Sequence, residues 1–266
     1  MVSGKICSIF RNLDGYILVN TMHDAAQMAE WVKTYLDKSG LLASCAPILL
    51  PSSADFIAAT CGYMAQLEHF LAQAAVPQVV WQYAVPELGE GGACSLFGVL
   101  ADTPYDLTGI LGGKTLANQQ ALEKLSLITA FYQQHGGVAW FGIYQARSSV
   151  ENEPVLVKLS YFGAASRAEF PLNAEFAQLS NNSTVGLTGK GRVINDVAAY
   201  IQQGGEYYTC DPKVQAEACL PLFTSSGKIA GIVDAEDVSK HVFTADALAL
   251  LVAVCLTIPQ FLPATS

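Results

Sequence analysis

Apolar and polar positions follow two rhythms along this chain. Apolar residues return at helical spacing on the way to Lys38, over residues 54 to 75, from Leu116 to Gln134 and from Thr244 to Thr257. Short apolar runs bounded by turn residues predict strands. These are Tyr16 to Asn20, Val79 to Tyr83, Leu96 to Leu100, Val138 to Ala146, Val155 to Phe162, Ala218 to Phe223 and Ile229 to Val233. Ala46 to Leu50 is a further short apolar run. The punctuation agrees with this reading. Thr21-Met-His-Asp24 has the form of a capping box, Gly40 stops the first helix, Pro77 follows the second and Thr244 caps the last. The polar stretch from Leu179 to Gly191 reads as a loop, and a short helix is expected near Asn195 to Gln202.

The order of these elements predicts an α/β (α+β) chain in which a central antiparallel sheet, flanked by helices, occupies residues 114–262. Residues 1–110 read as a separate α/β domain with no assigned role. The Gly-, Pro-, Asp- and Thr-rich segment from Ala101 to Gly113 is the expected linker. Within it, Gly109-Ile-Leu-Gly-Gly-Lys114-Thr115 looks like a phosphate loop, but three residues separate Gly109 from the Gly-Lys pair where the motif needs four. Gly112-Gly113 is better read as a turn before a helix.

Composition narrows the function classes. Of 266 residues, 52% are hydrophobic and 14% charged, enough for a well-buried core and too apolar for disorder. The net charge of -9 argues against nucleic acid as a partner. The apolar run from Ala247 to Ile258 ends at Pro259, well short of the roughly 20 residues a bilayer needs. No signal-peptide pattern opens the chain, so a cytoplasmic setting is expected and a membrane partner is not. The seven cysteines fall at irregular spacing without a Cys-x-x-Cys pair or a Cys/His cluster, which points away from a disulfide scaffold and from any metal site. No cofactor is called for.

The candidate chemistry lies late in the chain. Tyr208-Thr-Cys210-Asp places a thiol on a loop, Glu217 stands inside an apolar strand, and Gly231-Ile-Val-Asp234-Ala-Glu236 ends the next strand in carboxylates. A carboxylate inside an apolar strand needs a partner or a ligand. Residues two apart on a strand share a face, so Cys219 faces the same side as Glu217; it reads either as a small core residue or as a redox partner of Cys210. Asp237 and Asp246 are expected to face solvent.

These residues resemble a known family. Trp140-Phe-Gly142-Ile-Tyr144, the Cys210-Asp211 loop with Glu217 seven residues beyond the Cys, and Gly231-Ile-Val-Asp234-Ala-Glu236 are similar to motifs of GAF domains, and within them of free methionine-(R)-sulfoxide reductases. The resemblance covers about residues 116–260. It implies that Cys210 attacks the sulfoxide and becomes a sulfenic acid. Glu217, Asp234 and Glu236 would bind the ammonium of free methionine sulfoxide, and Trp140 would wall the S-methyl group. A thioredoxin-type reductant would complete the cycle. The family's upstream cysteines are missing, since that region reads Ser183-Thr-Val-Gly186-Leu-Thr-Gly189-Lys-Gly191. Two other readings stay open: a GAF module that binds a small molecule without turnover, and a structural unit for which the long helices Leu116 to Gln134 and Thr244 to Thr257 support a homodimer.

Overall fold

The computed structural model describes residues 10–11, 17–18, 25–49, 53–89, 95–149, 151–207 and 211–265. A two-stranded ribbon, β1 (Phe10–Arg11) and β2 (Ile17–Leu18), precedes four helices: α1 (Ala25–Lys38), α2 (Leu41–Ser44), α3 (Ala46–Leu49) and α4 (Ser53–Gln73). Four short strands follow, β3 (Gln82–Tyr83), β4 (Pro86–Leu88), β5 (Ser95–Leu100) and β6 (Tyr105–Asp106), then helices α5 (Leu107–Ile110) and α6 (Leu116–His135). The second half contains β7 (Trp140–Ser148), β8 (Pro154–Phe162), β9 (Glu169–Pro171), α7 (Ala174–Ala177), α8 (Asn181–Thr188), β10 (Arg192–Ile194) and α9 (Val197–Gln202). It closes with β11 (Ala216–Phe223), β12 (Ile229–Asp237) and α10 (Ala245–Thr257).

Six of these strands form one antiparallel sheet in the order β10-β11-β12-β7-β8-β9. The rear face is apolar. Phe141, Ile143, Val157, Ala218, Leu220, Val233 and Ala235 join a core with Leu125, Ile128 and Tyr132 of α6 and Leu248 to Cys255 of α10. Caps fix where the two helices begin: Thr115 accepts the N–H of Asn118, and Thr244 that of Ala247. Helix α10 is apolar on every side, so it must be buried all round. Its outer side, offered by the sequence to a partner subunit, is packed by α4 and α1 of the same chain. Val32, Tyr35 and Leu36 of α1 lie at helical spacing in the same core. Tyr35 reaches further and donates its hydroxyl hydrogen to the Pro221 carbonyl at 2.9 Å. The helices of the first hundred residues and the sheet thus share one continuous core.

Three local expectations change. The Leu179–Gly191 stretch is not a loop: residues 181–188 form α8, capped by Ser180 and stopped by Gly189 at φ 66°. Asn, Ser and Thr are weak helix formers, and the tertiary packing overrides them. Val185 is fully buried, and a side chain at Gly186 would meet Leu172 Cδ2 at 2.6 Å and Leu156 Cδ1 at 3.1 Å, so a larger residue there would have to push these leucines aside. The expected linker at 101–113 carries β6 and α5, with Asp106 capping the latter. Of Val79 to Tyr83, only the last two residues pair as a strand. The capping box at Thr21–Asp24 lies outside the described residues.

The connection from β9 to β10 decides where function can sit. These strands lie at opposite edges of the sheet, so the chain between them must cross a face. It crosses the front, laying α8 over β11 and β12.

Candidate functional site

The front face is built by the residues that alternate with the rear core. Pairing puts Glu217, Glu236 and Trp140 in one cross-strand row, and Cys219, Asp234 and Gly142 in the next. Two carboxylates directly opposite one another repel, and here a third stands beside them. Asp234 is 2% exposed and Glu217 5%, while Glu236 is half-buried. Helix α8 supplies their partners: Asn181 donates to Glu217 Oε2 and Asn182 to Asp234 Oδ2, both at 3.0 Å. The Tyr207 hydroxyl also donates to Glu217. Asp234 Oδ1 and Asn182 Oδ1 remain buried without a hydrogen-bond partner.

Beside the carboxylates lies a cavity of about 350 Å³, within the size range of small-molecule sites. Trp140, Tyr144, Ser166, Phe170, Asp234 and Glu236 are among its walls, and Asp211 and Arg167 also reach it. The Trp140 indole donates to the Ala164 carbonyl at 3.0 Å and folds over Gly142, where a side chain would meet the ring at 2.4 Å. A bare glycine at 142 is therefore what allows the indole to lie flat along the sheet.

A buried cation completes the site. Lys158 of β8 has no exposed surface. Its ammonium donates to the Ser166 carbonyl at 2.7 Å and hydroxyl at 2.6 Å, and stands 4.0 Å over Tyr161, 5.0 Å over Tyr83 and 5.9 Å over Trp140. Rings around an ammonium replace part of its lost hydration. The rule that singles out Glu217 would also have singled out Lys158, since both are charges inside apolar strands.

Burial and mutual repulsion set the protonation of this cluster. Burial, then Glu217 and Glu236, holds Asp234 well above the ordinary carboxylate range, against the Asn182 side chain and the Ala235 backbone. Glu236 is pushed up to about 8 by burial, Glu217 and Asp211, with Lys158 pulling it back. Burial raises Glu217, opposed by Tyr207, Asn181 and Arg192. Lys158 is lowered to about 7 by burial, against the attraction of Glu236. At neutral pH the site thus holds protons that an incoming cation would displace.

The residues singled out in the sequence do not all reach the cavity. Trp140, Asp234 and Glu236 line it; Glu217 stands behind them under α8. Cys219 does face the Glu217 side, but it is sealed among Leu156, Val185 and Ile232 with no exposed surface. Burial, then Asp234 and Glu217, raises its thiol well above the usual range. Cys210 lies outside the described residues. Asp237, expected in solvent, is only 8% exposed and accepts the N–H groups of Ala139 and Ser239. Among the described residues no group of three or more His, Cys, Asp or Glu is arranged to hold a metal ion, and no helix is long and apolar enough to cross a membrane.

No family model and no curated protein matches the chain. Solved structures do. A type II free methionine-R-sulfoxide reductase from Thermoplasma acidophilum is 17% identical with a TM-score of 0.46, over 55% of this chain and 94% of that one. The free methionine-R-sulfoxide reductase from Neisseria meningitidis, solved with its substrate, is 19% identical with a TM-score of 0.42, over 59% of this chain and 92% of that one. The GAF domain of an Acinetobacter phosphoenolpyruvate-protein phosphotransferase is 12% identical with a TM-score of 0.42, over 53% of this chain and 81% of that one. The chain is thus similar to GAF domains and to free methionine-R-sulfoxide reductases alike. At these identities and scores the likeness speaks for neither an activity nor a ligand.

Proposed function

We propose that the front-face cavity binds a small molecule through its ammonium group, that this molecule is free L-methionine-(R)-sulfoxide, and that Cys210 reduces it. The observation that carries the binding step is Asp234. Its carboxylate is buried on the cavity wall with one oxygen held by Asn182 and the other without a partner. A buried acceptor left unpaired is costly, and a ligand ammonium is the donor that relieves it. The Cys210 thiolate then attacks the sulfoxide sulfur. The S–O bond breaks, the oxygen ends on Cys210 as a sulfenic acid, and methionine leaves with the two electrons the thiol has lost. Glu236, raised to about 8, carries a proton at neutral pH and donates a hydrogen bond to the oxygen as charge develops on it. A thioredoxin-type dithiol condenses with the sulfenic acid, releasing water, and its second thiol resolves the mixed disulfide.

A second reading, a GAF module that binds its ligand without turnover, is favoured by the state of Cys219. A sealed thiol raised by two carboxylates is a poor resolving partner. Consumption of the (R) and (S) sulfoxide epimers in a thioredoxin-coupled NADPH assay separates the two. Turnover of the (R) epimer alone, abolished in Cys210→Ser, is expected of the enzyme. No turnover even with dithiothreitol, alongside L-methionine binding lost in Asp234→Asn, would leave the binding module.

A further inference from the structure

The cavity has a wall that the sheet does not make. Pro86, Gly98, Val99 and Leu100 line it, and all four belong to the β4–β5 strand pair of the first hundred residues. Covalently these strands are far from the front face, so something must hold them there. Tyr83, just before β4, donates its hydroxyl hydrogen to the Lys158 carbonyl at 2.6 Å and packs its ring on Tyr161 at 5.4 Å. On the return side, Tyr105 of β6 bonds the Glu169 carboxylate at the sheet's other edge. Between these anchors β3 pairs with β6, Ala101 donates to the Val85 carbonyl and Leu107 to the Trp81 carbonyl, both at 2.9 Å. The chain entering and leaving the strand pair is therefore tied to β8 and β9, which places the pair beside the cavity.

The side chains it contributes to the cavity, Pro86, Val99 and Leu100, are apolar. Val99 is 44% exposed and Leu100 56%, although both line a cavity whose opposite wall is acidic. Apolar surface left open at the wall of a pocket is where a ligand gains by covering it.

We propose that the β4–β5 pair is a specificity wall, and that the site takes primary ammonium compounds with an unbranched apolar tail, the ammonium on Asp234 and the tail against Val99 and Leu100. This rests on the ammonium reading of the cavity and adds what that reading leaves open, the size and polarity of the rest of the ligand. Asp234 and Glu236 alone would accept any small ammonium; the wall makes affinity climb with tail length.

Calorimetric titration of the full chain with L-alanine, L-norvaline, L-norleucine and L-2-aminooctanoate tests it, using wild type, Val99→Ser/Leu100→Ser and Asp234→Asn. Each methylene placed against the wall should tighten binding about fourfold in the wild type. In the double serine variant the gain should fall below twofold per methylene. A slope that is flat in the wild type, or unchanged in the double variant, overturns the wall while leaving the ammonium site standing, provided Asp234→Asn still weakens binding of every member. No binding of any member to the wild type overturns both.

Discussion

The two faces of the central sheet come from the same strands, one residue out of step, and they obey opposite rules. On the rear, Phe141, Ile143, Leu220, Val233 and Ala235 meet α6 and α10 in a closed apolar core. On the front, one position away in each strand, stand Trp140, Glu217, Asp234 and Glu236, with Lys158 beside them. Among the described residues, the rear buries one polar atom without a partner, the Tyr132 hydroxyl. The front gathers three carboxylates, keeps a buried oxygen unpaired and opens onto a cavity. Stability and chemistry are thus separated by the thickness of a backbone, which lets one face be altered without unfolding the other.

Substitutions on the two faces should diverge accordingly. The largest effect is expected on the rear: Phe141, fully buried and stacked on Tyr132 at 4.3 Å, should lose about 4 kcal/mol on Phe141→Ala, read from the shift in the urea midpoint. A front-face change with a loss as large would break the comparison. Next, Asp234→Asn should weaken binding of an ammonium ligand by about 30-fold, the worth of a charged hydrogen bond of ~2 kcal/mol. The thermal midpoint should hold or rise, because a buried charge-prone group has gone.

Smaller effects sharpen the contrast through pH. A carboxyl raised from 4.5 to about 8 in the folded state binds its proton more tightly there than in the unfolded chain. Its contribution to stability is therefore full below about pH 4.5 and is lost as the pH rises through 8. Glu236→Gln should remove that loss, raising the thermal midpoint at pH 8 and leaving it unchanged at pH 4. Asp234, also held above the ordinary carboxylate range, should release its proton when an ammonium binds there, visible as a buffer-dependent heat, with affinity rising with pH. The smallest effect is reserved for Lys158→Met. It keeps volume in the aromatic cage and should change stability by less than about 1 kcal/mol, while moving the Glu236 titration upward, because the ammonium now pulls it down.

The sheet and its covering helices were legible because apolar runs and helical periods are local signals. The carboxylates were legible for the opposite reason, as charges that interrupt such runs. Helix α8 was hidden because most of its eight residues are poor helix formers, while its packing on β11 and β12 comes from residues far along the chain. Cys219 illustrates the same boundary: strand parity placed it on the correct face, but α8 determines that it is sealed. The wall made by β4 and β5 rests on pairings between residues far apart in sequence, which no local pattern announces. Lys158 was readable and passed over.

Helix α10 has a consequence of a practical kind. Its residues Leu248 to Cys255 are buried without interruption, and α4 and α1 from the opposite end of the chain close its outer side. The part that resembles a familiar module shares its buried core with the first helices. A fragment cut at residue 114 would bare a greasy flank along the whole of α10, and a transplant of the pocket into another protein would have to carry those first helices with it. In this chain the cover and the covered are one heritable piece.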